Sequence, residues 1–173
     1  MPDTDDRAAN LLGALTLAAH DRLMAALSAA GGGSVSRAAA LATLHGYPGD
    51  TVDELAVVLG ITGSGATRLV AQLVRDGLVD KRAGRDGRSV ALHLTPGGQA
   101  AAAGVLGARR ASFGAALAVL SESDRRAFTA LAERLLPHLG AGQEWADRTC
   151  RLCDYAACPQ GSCPAACATG DAR

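Results

Sequence analysis

Residues 51–98, TVDELAVVLGITGSGATRLVAQLVRDGLVDKRAGRDGRSVALHLTPGG, constrain the fold more than any other stretch of the chain. Thr51-Val52-Asp53-Glu54 is a capping box, in which the Thr hydroxyl accepts from a first-turn N–H while Glu54 reaches back to the cap. It predicts a short helix from Val52 to Leu59, stopped by Gly60. After a three-residue connection a further helix begins near Ser64 and runs to about Asp76. Gly77 to Arg82 then reads as a short strand. Ser89 to Leu94 reads as another, because Val90, Leu92 and Leu94 alternate onto one face. Between the two strands lies Ala83-Gly84-Arg85-Asp86-Gly87-Arg88, a hairpin tip with two glycines and two arginines.

The flanks are helical. Leu12, Leu15, Ala19, Leu23 and Leu27 recur at three- and four-residue steps and predict a helix over 8–29, ended by Gly31-Gly32-Gly33. A second helix is expected from Ser34 to His45, followed by a turn at Tyr47-Pro48-Gly49-Asp50. Thr95-Pro96 starts another helix, with Thr as the cap and Pro in the first turn, where its missing N–H costs nothing. That stretch reaches Leu120 and is rich in glycine, which should soften it. Ser121 caps the last long helix, whose Phe128, Leu131, Leu135 and Leu136 form an apolar stripe. Beyond Gly140 no period remains. Hydrophobic residues are 49% of the chain but aromatics only 3%, so the core must come from Ala, Leu and Val, which favours helices. The expected fold is mainly α with a small β-wing. Its parts are an N-terminal helix and loop (1–33), a winged helix-turn-helix domain (34–98), C-terminal helices (99–139) and a Cys-rich tail (140–173).

Two short helices at a tight turn followed by a basic hairpin suit a duplex. The second helix can enter the major groove with its N-terminal residues toward base edges. Small residues at Gly63, Ser64, Gly65 and Ala66 let the backbone approach a phosphate, and first-turn amides favour an anion. Thr67, Arg68 and Gln72 can donate to phosphates or bases, and Arg85 and Arg88 can reach the adjacent minor groove. Charge agrees. Residues 62–93 carry 6 basic and 3 acidic side chains, whereas residues 1–61 carry 3 and 7. The acidic N-terminus has no signal-peptide pattern, and no apolar run approaches a membrane span, so a cytoplasmic protein without a membrane partner is expected.

At this point the sequence resembles the MarR family of bacterial transcriptional regulators. The segments ATRLV, GLVDKR and DGRSVALHLT, with the trailing Gly, stand in that family's order, and the flanking helices extend the likeness over about residues 8–139. The resemblance implies a homodimer with N- and C-terminal dimerisation helices that interlock, on a pseudo-palindromic operator; the leading reading is a repressor, not an enzyme, with an activator left open. It implies that Ser64, Thr67, Arg68 and Gln72 belong to the recognition helix. It also implies that Asp86 orients Arg88 in an Asp-x-Arg wing motif. Gly87 replaces the arginine usual between them, which leaves Arg85 as a substitute. Such regulators commonly sense a small-molecule effector in a cleft between the dimer helices and the winged domain. His20, His45 and His138 are isolated and read as surface or structural residues, and His93, on the strand, is expected to face solvent.

The five cysteines all lie in the tail, with the spacing Cys150-x2-Cys153-x4-Cys158-x4-Cys163 and Cys167 beyond. Four thiolates so close can surround one tetrahedral metal, and the spacing is that of a zinc knuckle with Cys158 in the usual His position. An iron–sulfur cluster is a second reading, since Cys158-Pro159 and Cys163-Pro164 put Pro after a ligand. A redox thiol switch and an incidental tail stay open as well. The competing reading of the whole chain is a small metal- or redox-active protein that uses its winged helix for protein contacts rather than DNA.

Overall fold

The computed structural model describes residues 3–30, 33–84, 87–158 and 163–167. The first helix, α1 (Thr4–Ala29), begins earlier than its apolar periodicity suggests. The Asp3 carboxylate accepts from the Asp5 amide, and Asp5 and Asp6 place negative charge at the positive end of the helix dipole. Ser34 caps α2 (Val35–Gly46) through the Arg37 amide. Every residue from Ala38 to Leu44 is buried, so α2 is the central rod of the molecule.

The capping box forms as the sequence dictates. Thr51 Oγ1 accepts from the Glu54 amide, and the Glu54 carboxylate takes the Thr51 amide at 2.7 Å. It starts α3 (Val52–Leu59), which Gly60 ends in the left-handed region at φ 63°. Thr62 caps α4 (Gly63–Arg75), one residue earlier at each end than expected. Gly77, at φ 69°, turns the chain into β1 (Val79–Ala83), which pairs antiparallel with β2 (Val90–Leu94) in the register Val79 to Leu94 and Ala83 to Val90.

The next helix, α5 (Pro96–Leu117), runs unbroken through its glycines and packs on α2 and α1. Gly98 is required where α5 meets the start of the wing, because a Cβ there would collide with the Leu78 carbonyl. Gln99 Oε1 meets His45 Nδ1 at 2.7 Å and Arg22 Nε donates to the Ser112 carbonyl at 3.0 Å, tying α5 to α2 and α1. Helix α6 (Glu122–Leu135) and a 3-10 turn (Leu136–His138) follow.

Past Gly140 the structure departs from the sequence reading, which found no pattern there. A helix, α7 (Gln143–Cys150), packs along α3, and a short α8 (Pro164–Cys167) follows. Only Ala146 of α7 is buried, so eight residues hold too few apolar positions for a period to show.

One core joins α2, α3, α4, β1, β2 and α5 around Leu41, Leu44, Leu55, Val70, Leu73, Val79, Leu92 and Val105. Each such side chain contributes roughly 1.5–3 kcal/mol over an exposed position. Leu152, from the tail, belongs to this same core. A second, smaller cluster holds Ala146, Cys163 and Ala165, with Leu136, Trp145, Cys150 and Cys158 against it. Among the described residues, no single helix is long and apolar enough to cross a membrane.

Candidate nucleic-acid interface

The sequence of α3 and α4 builds a rigid corner. The helix axes turn by 110° across Gly60-Ile61-Thr62, within the range for a helix-turn-helix. The Gly60 and Ile61 amides donate back into the last turn of α3, and Thr62 Oγ1 accepts from the Gly65 amide at 3.1 Å. The inner face of α4 is Ala66, Val70 and Leu73, all fully buried. The geometry of an α-helix then fixes what faces out. Ser64, Thr67, Arg68 and Gln72 are exposed along the opposite side, and Gly65 is half-buried behind them. Open space surrounds Gly63, so the first turn of α4 can be approached closely.

Arg75 continues the exposed stripe by one more turn, at i+7 from Arg68. The sequence reading passed over it, although that spacing was its signal. Arg37, also passed over, pairs with Asp76 at 2.6 Å and is mostly buried. This pair fastens the end of α4 to the start of α2 and so holds the stripe in place.

In the wing, the Gly84 amide donates to the Ser89 carbonyl at 2.9 Å and Gly87 turns at φ 68°. Arg88 is exposed beside that turn, and Lys81 and Arg82 are exposed on β1. Arg85 and Asp86 lie outside the described residues. The corner and the wing therefore present a polar and cationic surface on separate elements of one core, with donors of the kind that bind phosphates and base edges.

The tail brings the thiols of Cys150, Cys153, Cys158 and Cys163 into interaction with one another. A hydrogen bond with Cys153, together with burial, drives the Cys150 thiol far above the ordinary range. The same bond, against the opposing effect of burial, lowers Cys153 to about 6, and Arg109 adds to the lowering. Burial, then Cys163, raises Cys158 to about 11. Arg109 of α5 places Nη2 at 3.9 Å from the Cys153 sulfur. Among the described residues, no three His, Cys, Asp or Glu side chains are already arranged around a common ion position. The side chain of Cys167 is outside the described residues. His45 is accounted for by Gln99, and His93 sits half-buried on β2 beside Gly49.

Residues 32–89 match the MarR family. The fold is similar to that of YusO from Bacillus subtilis, with a TM-score of 0.66 and 20% identity over 78% of this chain and 97% of that one. It is also similar to Rv2887, a MarR family protein of Mycobacterium tuberculosis, in two solved forms. In complex with DNA the TM-score is 0.60 at 26% identity, covering 73% of this chain and 95% of that one. In complex with p-aminosalicylic acid it is 0.57 at 28% identity, covering 73% and 96%. A comparison with curated proteins found no match.

Proposed function

We propose that this chain, whose residues 32–89 form a MarR-family domain, is a DNA-binding transcription regulator that acts as a homodimer on a pseudo-palindromic duplex, and as a repressor. The observation that carries the reading is the exposed stripe Ser64, Thr67, Arg68 and Gln72 on a helix whose other face is locked in the core. A recognition helix needs that arrangement, because its donors must reach base edges without reorganising the domain. The structure of Rv2887 with DNA supports it by likeness. In this reading Arg68 and Gln72 contact the major groove, Ser64, Gly65 and Thr67 meet the backbone, and Arg88 enters the minor groove with Asp86 and Arg85 beside it.

The dimer rests on apolar surface that the monomer leaves uncovered. Helix α6 buries none of its residues, yet exposes Phe128, Leu131 and Leu135 in one stripe, and Leu139 follows. Helix α1 exposes Leu11, Leu12, Leu15 and Leu17. Apolar patches of this kind mark association surfaces, and a twofold dimer places two α4 helices on successive turns of one duplex face. Residues 1–33 and 99–139 are the dimerisation elements. A small-molecule effector would act between them and the winged domain; Rv2887 was solved in complex with one small molecule, p-aminosalicylic acid.

The test is fluorescence anisotropy with the duplex upstream of the protein's own coding region, titrated between about 50 and 200 mM salt. With Arg75, Lys81 and Arg82, all exposed, from each of two protomers neutralising phosphates, the log–log slope should be about −5 at roughly −0.9 per phosphate. Arg75→Ala should bring it to about −4, and Arg88→Ala should weaken binding. Binding that is indifferent to salt, or full affinity in Arg88→Ala, would count against the reading.

A further inference from the structure

The tail is a small module with very little to hold it together. Its buried members are Ala146, Cys163 and Ala165, and the residues packed on them are Leu136, Trp145, Cys150 and Cys158. Three of those seven are cysteines. A core this small does not stabilise a module without a cross-link. The thiols do not fall into two separate pairs. Cys150, Cys158 and Cys163 lie in this one cluster, and Cys153 shares a hydrogen bond with Cys150. The backbone already bends them together, with the Cys153 amide donating to the Cys150 carbonyl at 2.7 Å and the Cys158 amide to the Asp154 carbonyl at 3.0 Å.

We propose that Cys150, Cys153, Cys158 and Cys163 bind one thiophilic divalent cation, zinc by the chemistry of the ligand set, and that the loaded module is a strut between the DNA-reading corner and helix α5. Four thiolates within fourteen residues can surround a single tetrahedral ion. Among the described residues the four do not surround a common ion position, so loading requires their side chains to turn about Cα–Cβ, the torsion that positions a cysteine sulfur. Arg109 supplies the outer partner. Its Nη2 donates to the Cys153 sulfur at 3.9 Å, and its charge offsets the excess of four thiolates over a dication. The strut has two feet on the winged domain. Leu152 enters the main core, and the Tyr155 ring lies edge-on to Tyr47 with centroids 4.9 Å apart, over Gly46, where a Cβ would strike it. A third contact puts Arg148 of α7 against Gly60, at the turn before α4.

The full-length protein, purified anaerobically and tested with zinc and with cobalt(II), decides the matter without reference to DNA. Elemental analysis should give one zinc per chain. Cobalt should produce the visible absorption of a tetrahedral thiolate site, and four thiols should resist alkylation until a chelator is added. The chain has one tryptophan, Trp145, packed in the small cluster, so chelation should shift its emission to the red. Cys150→Ser and Cys158→Ser should each lose the cobalt spectrum, while far-UV circular dichroism reports that the helical body is intact. Arg109→Met should keep the ion and weaken its retention by roughly tenfold or more, as loss of an outer partner does. Iron with acid-labile sulfide would overturn the single-ion assignment. Thiols that alkylate equally with and without metal, or that form disulfides in preference to binding zinc, would overturn the site.

Discussion

Helix α5 allows the same substitution to be tested with opposite signs at two positions of one element. A Cβ on Gly98 would run into the Leu78 carbonyl and come within 3.2 Å of Leu94 Cβ. The obstacle is backbone, so it cannot swing aside. Making room would also strain the bond from the Thr95 amide to that carbonyl, 3.0 Å long. Gly98→Ala gains about 1 kcal/mol of helix propensity but pays an overpacking cost of roughly 1–3 kcal/mol and a lost hydrogen bond of about 1 kcal/mol. The net expectation is a loss of about 2 kcal/mol. At Gly104 nothing lies within 4 Å of the added atom and the position is exposed, so Gly104→Ala should gain about 0.5–1 kcal/mol. The two variants should thus differ by about 3 kcal/mol, or about 6–12 °C in Tm for a chain of this size. Thermal and urea melts followed by circular dichroism at one fixed protein concentration measure it. A Gly98→Ala protein as stable as the native one would refute the steric reasoning, and so would a Gly104→Ala protein that is the less stable of the two.

Thr51→Ala removes the Thr half of the capping box on α3 and should cost about 1 kcal/mol in a urea melt, with Glu54→Ala overlapping rather than adding to it. Thr43 is fully buried and its Oγ1 has no hydrogen-bond partner among the described residues; Thr43→Val should therefore leave stability unchanged or raise it by up to about 1 kcal/mol. Leu131→Glu, in the exposed stripe of α6, should shift the protein toward monomer in sedimentation velocity at micromolar concentration while leaving the monomer folded, since Leu131 is 53% exposed. A variant that stays dimeric would remove α6 from the interface.

The winged corner was legible because its signals are local. A capping box, a glycine stop, a period-two strand and a glycine-bearing tip each act within a few residues, and each formed within a residue or two of its expected place. The exposed positions on α4 followed, because burying Ala66, Val70 and Leu73 leaves the opposite face little freedom. What the sequence did not show depends on distant pairs. Arg37 and Asp76 are far apart in the chain, and neither residue alone announces an ion pair that holds α4. Gly98 looked like one more softening glycine and is instead the point where the Leu78 backbone crosses. Helix α7 was invisible because its partner is α3 and its own apolar content is one buried alanine. The cysteines were conspicuous by spacing, but nothing in that spacing said that Tyr155, Leu152 and Arg109 would fasten them to the winged domain and to α5.

The central claim is that the outer face of α4 reads base sequence. Selection from a random duplex library, run in parallel with native protein and with Arg68→Ala, tests it most directly. The native protein should enrich two inverted half-sites about one helical turn apart. Arg68→Ala should keep that spacing but lose discrimination at one position in each half-site, at about 1–3 kcal/mol. No enriched motif, or a motif that Arg68→Ala leaves unchanged, would contradict the account.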